Sequence, residues 1–290
     1  VISVPVSFTK SQRQATLRAA ALADLNVLSL INEPTAVAIN YFGVKNHENL
    51  NFLVFDLGAG FLQASIFNIG LKNLVNQTGV SSIIGGIDVS SELANHIGKM
   101  FKAKHPEFKY KNGDQSFEQL KQNAERGVQS LSLLSDIFIR IESFFEGEDL
   151  ETTVDRAVLE SIMERLLNDG IHKYLCKVLT TANLKSSEVD EVVLVGGCSR
   201  IPAIQMQLQQ FFSQARLIES VNADESVAYG CTYAAAVLQD IEVRPKLNID
   251  LQGLIRSDTL NVITCDDENI KSQKQVVQKI ERMEENVAII

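Results

Sequence analysis

Asn51-Phe-Leu-Val-Phe-Asp-Leu57 is an almost unbroken apolar run with one acid near its end, and it passes directly into Gly58-Ala-Gly60. A strand covered on both faces reads this way, because neither side meets water and no polar alternation is needed. The glycines predict a turn, and Leu62 to Phe67 is expected to return as a hairpin partner. Glu191-Val-Val-Leu-Val195 followed by Gly196-Gly197 repeats the theme, with a helix expected over Pro202 to Phe212. Two strand-to-glycine turns in one chain can clamp a phosphate-bearing ligand between them. The plainer alternative is that buried strands of any α/β protein can end in glycines.

Working outward, Val1 to Val6 reads as a strand and Lys10 to Asp24 as a helix, with Thr9 as N-cap and Gln12 at capping-box spacing. A second helix is expected after Pro34, which suits a first helical turn. From Val89 to about Gly170 the chain reads as mainly helical, with one strand-like stretch at Asp136 to Glu142, the pattern of an inserted subdomain. Beyond Ile241 the chain becomes more charged; Thr259 to Thr264 is its one strong strand signal. Lys271 to Glu285 reads as an amphipathic helix with Val276, Val277, Ile280 and Met283 as its stripe. That tail is expected to be peripheral and poorly ordered. The first residue is Val1, already inside a strand pattern, so an incomplete chain is expected.

Composition narrows the function. The chain has 290 residues, 45% apolar and 22% charged, with a formal net charge of -9. Roughly one to two domains and a sizeable core follow from that length. No basic block offers a footprint for nucleic acid, and an anionic membrane is an equally poor partner. Cys176, Cys198, Cys231 and Cys265 are too scattered for a CxxC pair, which points to a reducing, cytoplasmic compartment. No signal peptide is read at the start, and the most apolar window, Phe52 to Leu71, is interrupted by Asp56, Gln63, Asn68 and glycines that a membrane span tolerates poorly.

Asp56, at the end of a buried strand and just before Gly58 and Gly60, is placed to hold a hydrated divalent cation beside phosphate-facing backbone. Glu33 at a helix start can position water or a metal, or can simply complement the helix dipole. Gly196-Gly-Cys-Ser-Arg200 offers open backbone and a guanidinium that can stack on a base or pair with an acid. Asp224-Glu225 can cap the helix that follows. The four histidines have no metal-ligand spacing, and no Ser/His/Asp or Cys/His constellation is present.

Taken together, these stretches resemble the 70-kDa heat-shock chaperones of the DnaK type, within the actin-like ATPase superfamily. The resemblance is carried by Val4-Pro5 with Gln12-Arg-Gln-Ala-Thr16, by Ile31-Asn-Glu-Pro-Thr-Ala36, by Phe55-Asp-Leu-Gly58 and by Gly85-Gly86. Further along, it is carried by Phe145-Glu-Gly147, by Val193-Leu-Val-Gly-Gly197 with Ser199-Arg-Ile-Pro202, and by Asp224-Glu225 with Val227-Ala-Tyr-Gly230. It implies an α/β fold: an actin-like, ribonuclease-H-like ATPase lobe with an inserted, mainly helical subdomain and a short C-terminal tail. Residues 1–45 would belong to the first nucleotide-binding lobe, 46–84 and 165–240 to the core of the second, 85–164 to the insert, and 241–290 to a remnant of the substrate-binding region.

The same resemblance implies ATP or ADP with Mg²⁺ as cofactors. Glu33 and Asp56 would shape the metal and water shell, Glu33 through water. Gly58, Gly60, Gly85, Gly86, Gly196, Gly197, Arg200 and Asp224 would contact the nucleotide, with Glu125 and Ser132 reaching it from the insert. A J-domain co-chaperone and a nucleotide-exchange factor are the implied partners, with unfolded client polypeptides requiring a fuller substrate domain.

The sequence also departs from the family. The Asp-Leu-Gly-Thr-Thr phosphate loop and the catalytic lysine would lie upstream of Val1. The usual Gly-Gly-Gly-Thr-Phe-Asp loop reads Gly58-Ala-Gly-Phe-Leu-Gln63, Val128 and Gln129 replace a basic pair, and Cys198 replaces a serine. Phosphoryl transfer rests on positioning and charge stabilisation, so hydrolysis is expected to be impaired in this chain. Two expectations follow: an ATP-binding chaperone that assists folding, or a non-hydrolysing co-chaperone or scaffold similar to atypical ribosome-associated members. A sugar kinase of the same superfamily is a third, without a recognisable sugar-binding loop.

Overall fold

In the computed structural model, the described residues are 1–44, 50–70, 74–82, 84–109, 114–166, 171–219, 222–241, 254 and 262–264. The apolar run forms β3 (Leu50–Leu57), returns as β4 (Leu62–Ile69) and turns again into β5 (Leu74–Ser82), an antiparallel meander. The second strand-to-glycine stretch, β8 (Glu191–Val195), lies parallel to β3, and β9 (Arg216–Ile218) lies parallel to β8. A short β10 (Val262–Thr264) pairs in parallel with β5, giving the order β10-β5-β4-β3-β8-β9 among the described residues.

Both faces of this sheet are covered. Leu53, Phe55 and Leu57 of β3 pack with Leu62, Ala64 and Ile66 of β4 on one side, while Phe52, Val54 and Phe67 join the opposite core. The second core is built on α2 (Glu33–Val44) and α8 (Ser226–Leu238). These helices approach so closely that a Cβ on Gly230 would lie 1.9 Å from the Ala36 carbonyl oxygen. Asp56 and Gln63 alternate onto this same face, directly opposite each other in the β3–β4 register.

β1 (Ile2–Val4) and β2 (Leu30–Asn32) form a separate parallel pair, with α1 (Lys10–Leu22) between them in sequence. The expected capping box is present: Gln12 N–H donates to Thr9 Oγ1 at 3.3 Å, and Thr9 N–H donates to Gln12 Oε1 at 2.8 Å.

The middle of the chain holds α3 (Gly86–Lys104), α4 (Gln115–Leu131), β6 (Asp136–Phe145), β7 (Glu148–Asp155) and α5 (Arg156–Leu166). It is more β-rich than the pattern predicts, because β6 continues past Glu142 and pairs with β7 in a hairpin. Glu146 and Gly147 take φ of 50° and 86°, the positive pair that a tight two-residue hairpin turn requires. A glutamate is an unusual choice there, which is why the turn is hard to read from composition. The chain then runs through α6 (His172–Ala182) to β8, and through a 3₁₀ turn at Gly197–Arg200 into α7 (Pro202–Phe211). The amphipathic stretch expected at 271–285 lies outside the described residues. No helix among the described residues is long and apolar enough to cross a membrane.

Candidate functional site

The two glycine turns and the start of α3 meet at the ends of β3 and β8. Gly58 N–H donates to the Phe61 carbonyl at 3.0 Å, closing the first turn. Gly86 and Ile87 N–H groups donate to the Gly58 and Ala59 carbonyls at 3.0 and 2.8 Å, so the turn's backbone satisfies donors that a helix start leaves open. Gly85 is needed for that approach, since a Cβ there would lie 2.4 Å from the Ala59 oxygen. In the second turn Gly196 takes φ 81°, and a Cβ would meet the Leu57 oxygen at 2.4 Å and Asp56 Oδ1 at 2.7 Å.

Two cavities adjoin, with Ala59 in the wall of both. The smaller, about 290 Å³, is lined by Glu33, Asp56, Gly58, Gly60 and Gly196 among others, and no Lys or Arg of the described residues is in its lining. The larger, about 620 Å³, includes Gly86, Glu125, Ser132, Gly197, Arg200 and Asp224 in its wall. Of the residues singled out from the sequence, Gly85 alone lines neither, acting through its close approach to Ala59. Residues more than a hundred positions apart are thereby brought to one place.

Electrostatics in the smaller cavity are unusual. Burial, reinforced by the neighbouring Glu33 charge, pushes the Asp56 carboxyl up to about 7. Burial also raises Glu33, partly offset by the hydrogen bond it receives from Gln63 Nε2. Gln63 is 1% exposed, and its Oε1 accepts from Val6 N–H at 2.8 Å. Two carboxyls that each resist ionisation beside the other form an oxygen-only donor pair suited to a hard cation. The pair therefore fits Mg²⁺, which keeps several waters and takes one or two carboxylates together with phosphate oxygens.

In the larger cavity, Arg200 donates to Asp224 Oδ2 at 2.8 Å. Asp224 is therefore committed to an ion pair and does not cap α8; the N-cap position is Glu225, whose side chain makes no capping bond. Ile87, Val128, Leu133 and Ile201 give the cavity an apolar wall beside Ser132 and Glu125. Its volume and mixed lining suit a nucleoside-sized ligand. Gly60 and Gly197 meet nothing within 4 Å of an added Cβ, leaving their backbone open to a ligand. Burial raises the Cys198 thiol, so it is not an activated nucleophile.

Three contributors escape a reading of the sequence. Lys121 lines the larger cavity one helical turn before Glu125, a signal available in the spacing Lys121, Glu125, Val128 along α4 with Ser132 at its C-cap. Ala59 separates the cavities with its backbone alone, and the Gln63–Glu33 bond joins elements with no local sequence link.

A family model described as Hsp70 protein matches residues 1–285. The chain is similar to a ribosome-associated molecular chaperone of Eremothecium gossypii, 42% identical over 247 residues, which cover 82% of this chain and 39% of that protein. It is also similar to a ribosome-associated molecular chaperone of Nakaseomyces delphensis, 39% identical over 241 residues with coverage of 82% and 39%. The chain thus matches about two fifths of the length of these relatives.

Proposed function

The chain belongs to the Hsp70 family, and we propose that it forms the nucleotide-binding part of an ATP-dependent chaperone. The observation that carries this reading is the adjacency of the two cavities across Ala59: an acidic, glycine-walled one and a nucleoside-sized one. Arg200, Ser132 and Glu125 would hold the nucleoside, and the wall formed by Gly58, Gly60 and Gly196, with open backbone at Gly60, would face the phosphates. Glu33 and Asp56 would hold Mg²⁺, directly or through water. The cation would neutralise phosphate charge that these two acids otherwise repel, since no basic side chain of the described residues lines that cavity.

The partners that fit are a J-domain co-chaperone, a nucleotide-exchange factor and client polypeptides, in the cytoplasm. The names of the relatives favour work at the ribosome. Titrating the full chain with ADP and Mg²⁺ by calorimetry tests the nucleotide reading. Saturable one-site binding is expected, and none at millimolar nucleotide overturns it.

One observation favours a second reading, a co-chaperone or scaffold that binds nucleotide and hydrolyses it poorly. A Glu33 oxygen is already occupied by Gln63, at a position where the family carries a carboxylate, and Phe61 stands where it carries a hydroxyl. Single-turnover hydrolysis with and without a J-domain protein separates the two. Stimulated turnover argues for the first reading, unstimulated binding for the second.

A further inference from the structure

Gln63 lies in β4 opposite Asp56, in contact with Glu33 at the start of α2 and with Val6 just beyond β1. Its amide has one acceptor end and one donor end, and both are used. Val6 N–H can only donate, so it fixes Oε1 toward itself at 2.8 Å. The amide NH₂ must then face the other way, where Glu33 Oε2 accepts from it. Val6 is 3% exposed and Gln63 1%, so neither group can turn to water if the contact is lost.

We propose that Gln63 is a positioning residue for Glu33. Its amide ties that carboxylate to the Val6 backbone and holds it in place without a cation, so the site depends less on a divalent ion than a three-carboxylate site would. A glutamate of the same length could accept from Val6 but not donate to Glu33, and it would add a third negative charge beside Glu33 and Asp56. A leucine could do neither. An asparagine would be one methylene short of spanning both partners. The bridge also links three separate segments, Val6 beyond β1, Glu33 at the start of α2 and Gln63 in β4, the last two in the wall of the acidic cavity. The consequence for cation dependence rests on the nucleotide reading above, whereas the bridge itself does not.

The test uses the full chain with Gln63→Leu, Gln63→Glu, Glu33→Gln and the double variant Glu33→Gln/Gln63→Glu. Melting is followed without nucleotide, with and without millimolar Mg²⁺, and ADP affinity is measured by calorimetry under both conditions. Gln63→Leu and Gln63→Glu should each melt about 3–8 °C lower. The double variant exchanges donor and acceptor, rebuilds the bridge and should regain at least half of the loss seen in Gln63→Glu. Mg²⁺ should raise the melting temperature of Gln63→Glu more than that of the unaltered chain. Removing Mg²⁺ should weaken ADP binding about tenfold more in that variant.

Unchanged melting of both single variants at Gln63, or a double variant no better than Gln63→Glu, overturns the bridge. An identical Mg²⁺ response across the set, in melting and in ADP affinity, overturns its effect on cation dependence. If the melting results hold but no variant binds ADP, the nucleotide reading falls and the bridge stands. If Gln63→Glu does not fold, recovery of folding in the double variant supports the bridge, and failure to recover counts against it.

Discussion

Arg200 and Asp224 close one wall of the larger cavity through a bond of 2.8 Å, joining the 3₁₀ turn after β8 to the residue two positions before the start of α8. Both side chains remain more than half exposed, at 54% and 58%. An ion pair in that setting contributes about 0–1 kcal/mol to stability. Arg200→Ala should therefore leave the melting temperature within about 3 °C of the parent. Its guanidinium is the only one lining the cavity among the described residues, so ADP affinity should fall roughly tenfold, the size of one charge-assisted hydrogen bond. Calorimetry alongside thermal melting separates the two effects, and a large melting shift without loss of affinity would argue for a structural role alone.

Gly196 and Gly197 are neighbours with opposite demands. At Gly196 a Cβ would collide with the Leu57 carbonyl and Asp56 Oδ1, and the φ of 81° is itself unfavourable for other residues. Gly196→Ala should cost about 1–3 kcal/mol from the backbone alone, with more from the collision. Gly197→Ala meets nothing within 4 Å and should fold normally. If Gly197 faces bound nucleotide, that variant loses ADP affinity while its denaturant midpoint stays unchanged. Urea melts and ADP titration of the pair check both statements.

Asp56 carries a pH signature. Its carboxyl is raised from 3.8 to about 7 in the folded chain, with Glu33 raised in the same direction. Between those values the folded state holds a proton that the unfolded state has released, so stability falls as pH rises through the window from about 4 to about 7 and levels off above it. Mg²⁺ favours the ionised form and should flatten that fall. Asp56→Asn should remove most of the slope, raise the melting temperature at pH 7.5 without Mg²⁺, and weaken Mg²⁺-dependent ADP binding. Melting curves across pH with and without Mg²⁺, together with an ADP titration, read all three.

Tyr41 on α2 donates its hydroxyl to Glu191 at the start of β8, and Arg216 of β9 pairs with the same carboxylate. Glu191 is 1% exposed, so these donors replace hydrogen bonds that water would otherwise supply. Burial and the adjacent Glu191 together raise the tyrosine hydroxyl well above its ordinary range, keeping it a donor at any physiological pH. Tyr41→Phe should cost about 1.5–3 kcal/mol, as expected for a hydrogen bond to a charged group. It should leave ADP affinity unaltered, because neither residue lines the two cavities. Chemical denaturation with a parallel ADP titration is the check.

Much of this architecture can be read from local patterns. β3 and β8 announce themselves because burial on both faces demands continuous apolar runs, β4 as the return strand after the glycine turn, and α1 because Thr9 and Gln12 stand at capping-box spacing. β5 is harder, since Asn76, Gln77 and Gly79 give it a turn-like composition. Gly79 is nonetheless a packing position, where a Cβ would lie 2.4 Å from Ser65 Oγ. β7 is masked for a related reason: only Leu150 and Val154 are buried along it, and its hairpin partner supplies the rest of the order. The glycine turns and the acids Glu33 and Asp56 are visible as residue types, but their relation to one another is not.

The amino-acid sequence alone determined β3, β4, β8 and the capped start of α1, where the glycine turns fall and to which family the pattern is similar. Those properties depend on neighbours along the chain: apolar periodicity, caps and φ preferences. Tertiary structure alone decided that Asp224 binds Arg200 and does not cap its helix, that Gln63 ties Glu33 to Val6, and that Gly230 is a packing requirement against Ala36. Each of these contacts joins residues separated by at least 24 positions. Their geometry exists only once the sheet has brought the ends of β3 and β8 side by side, because hydrogen bonds and close packing act over a few ångströms and are indifferent to distance along the chain.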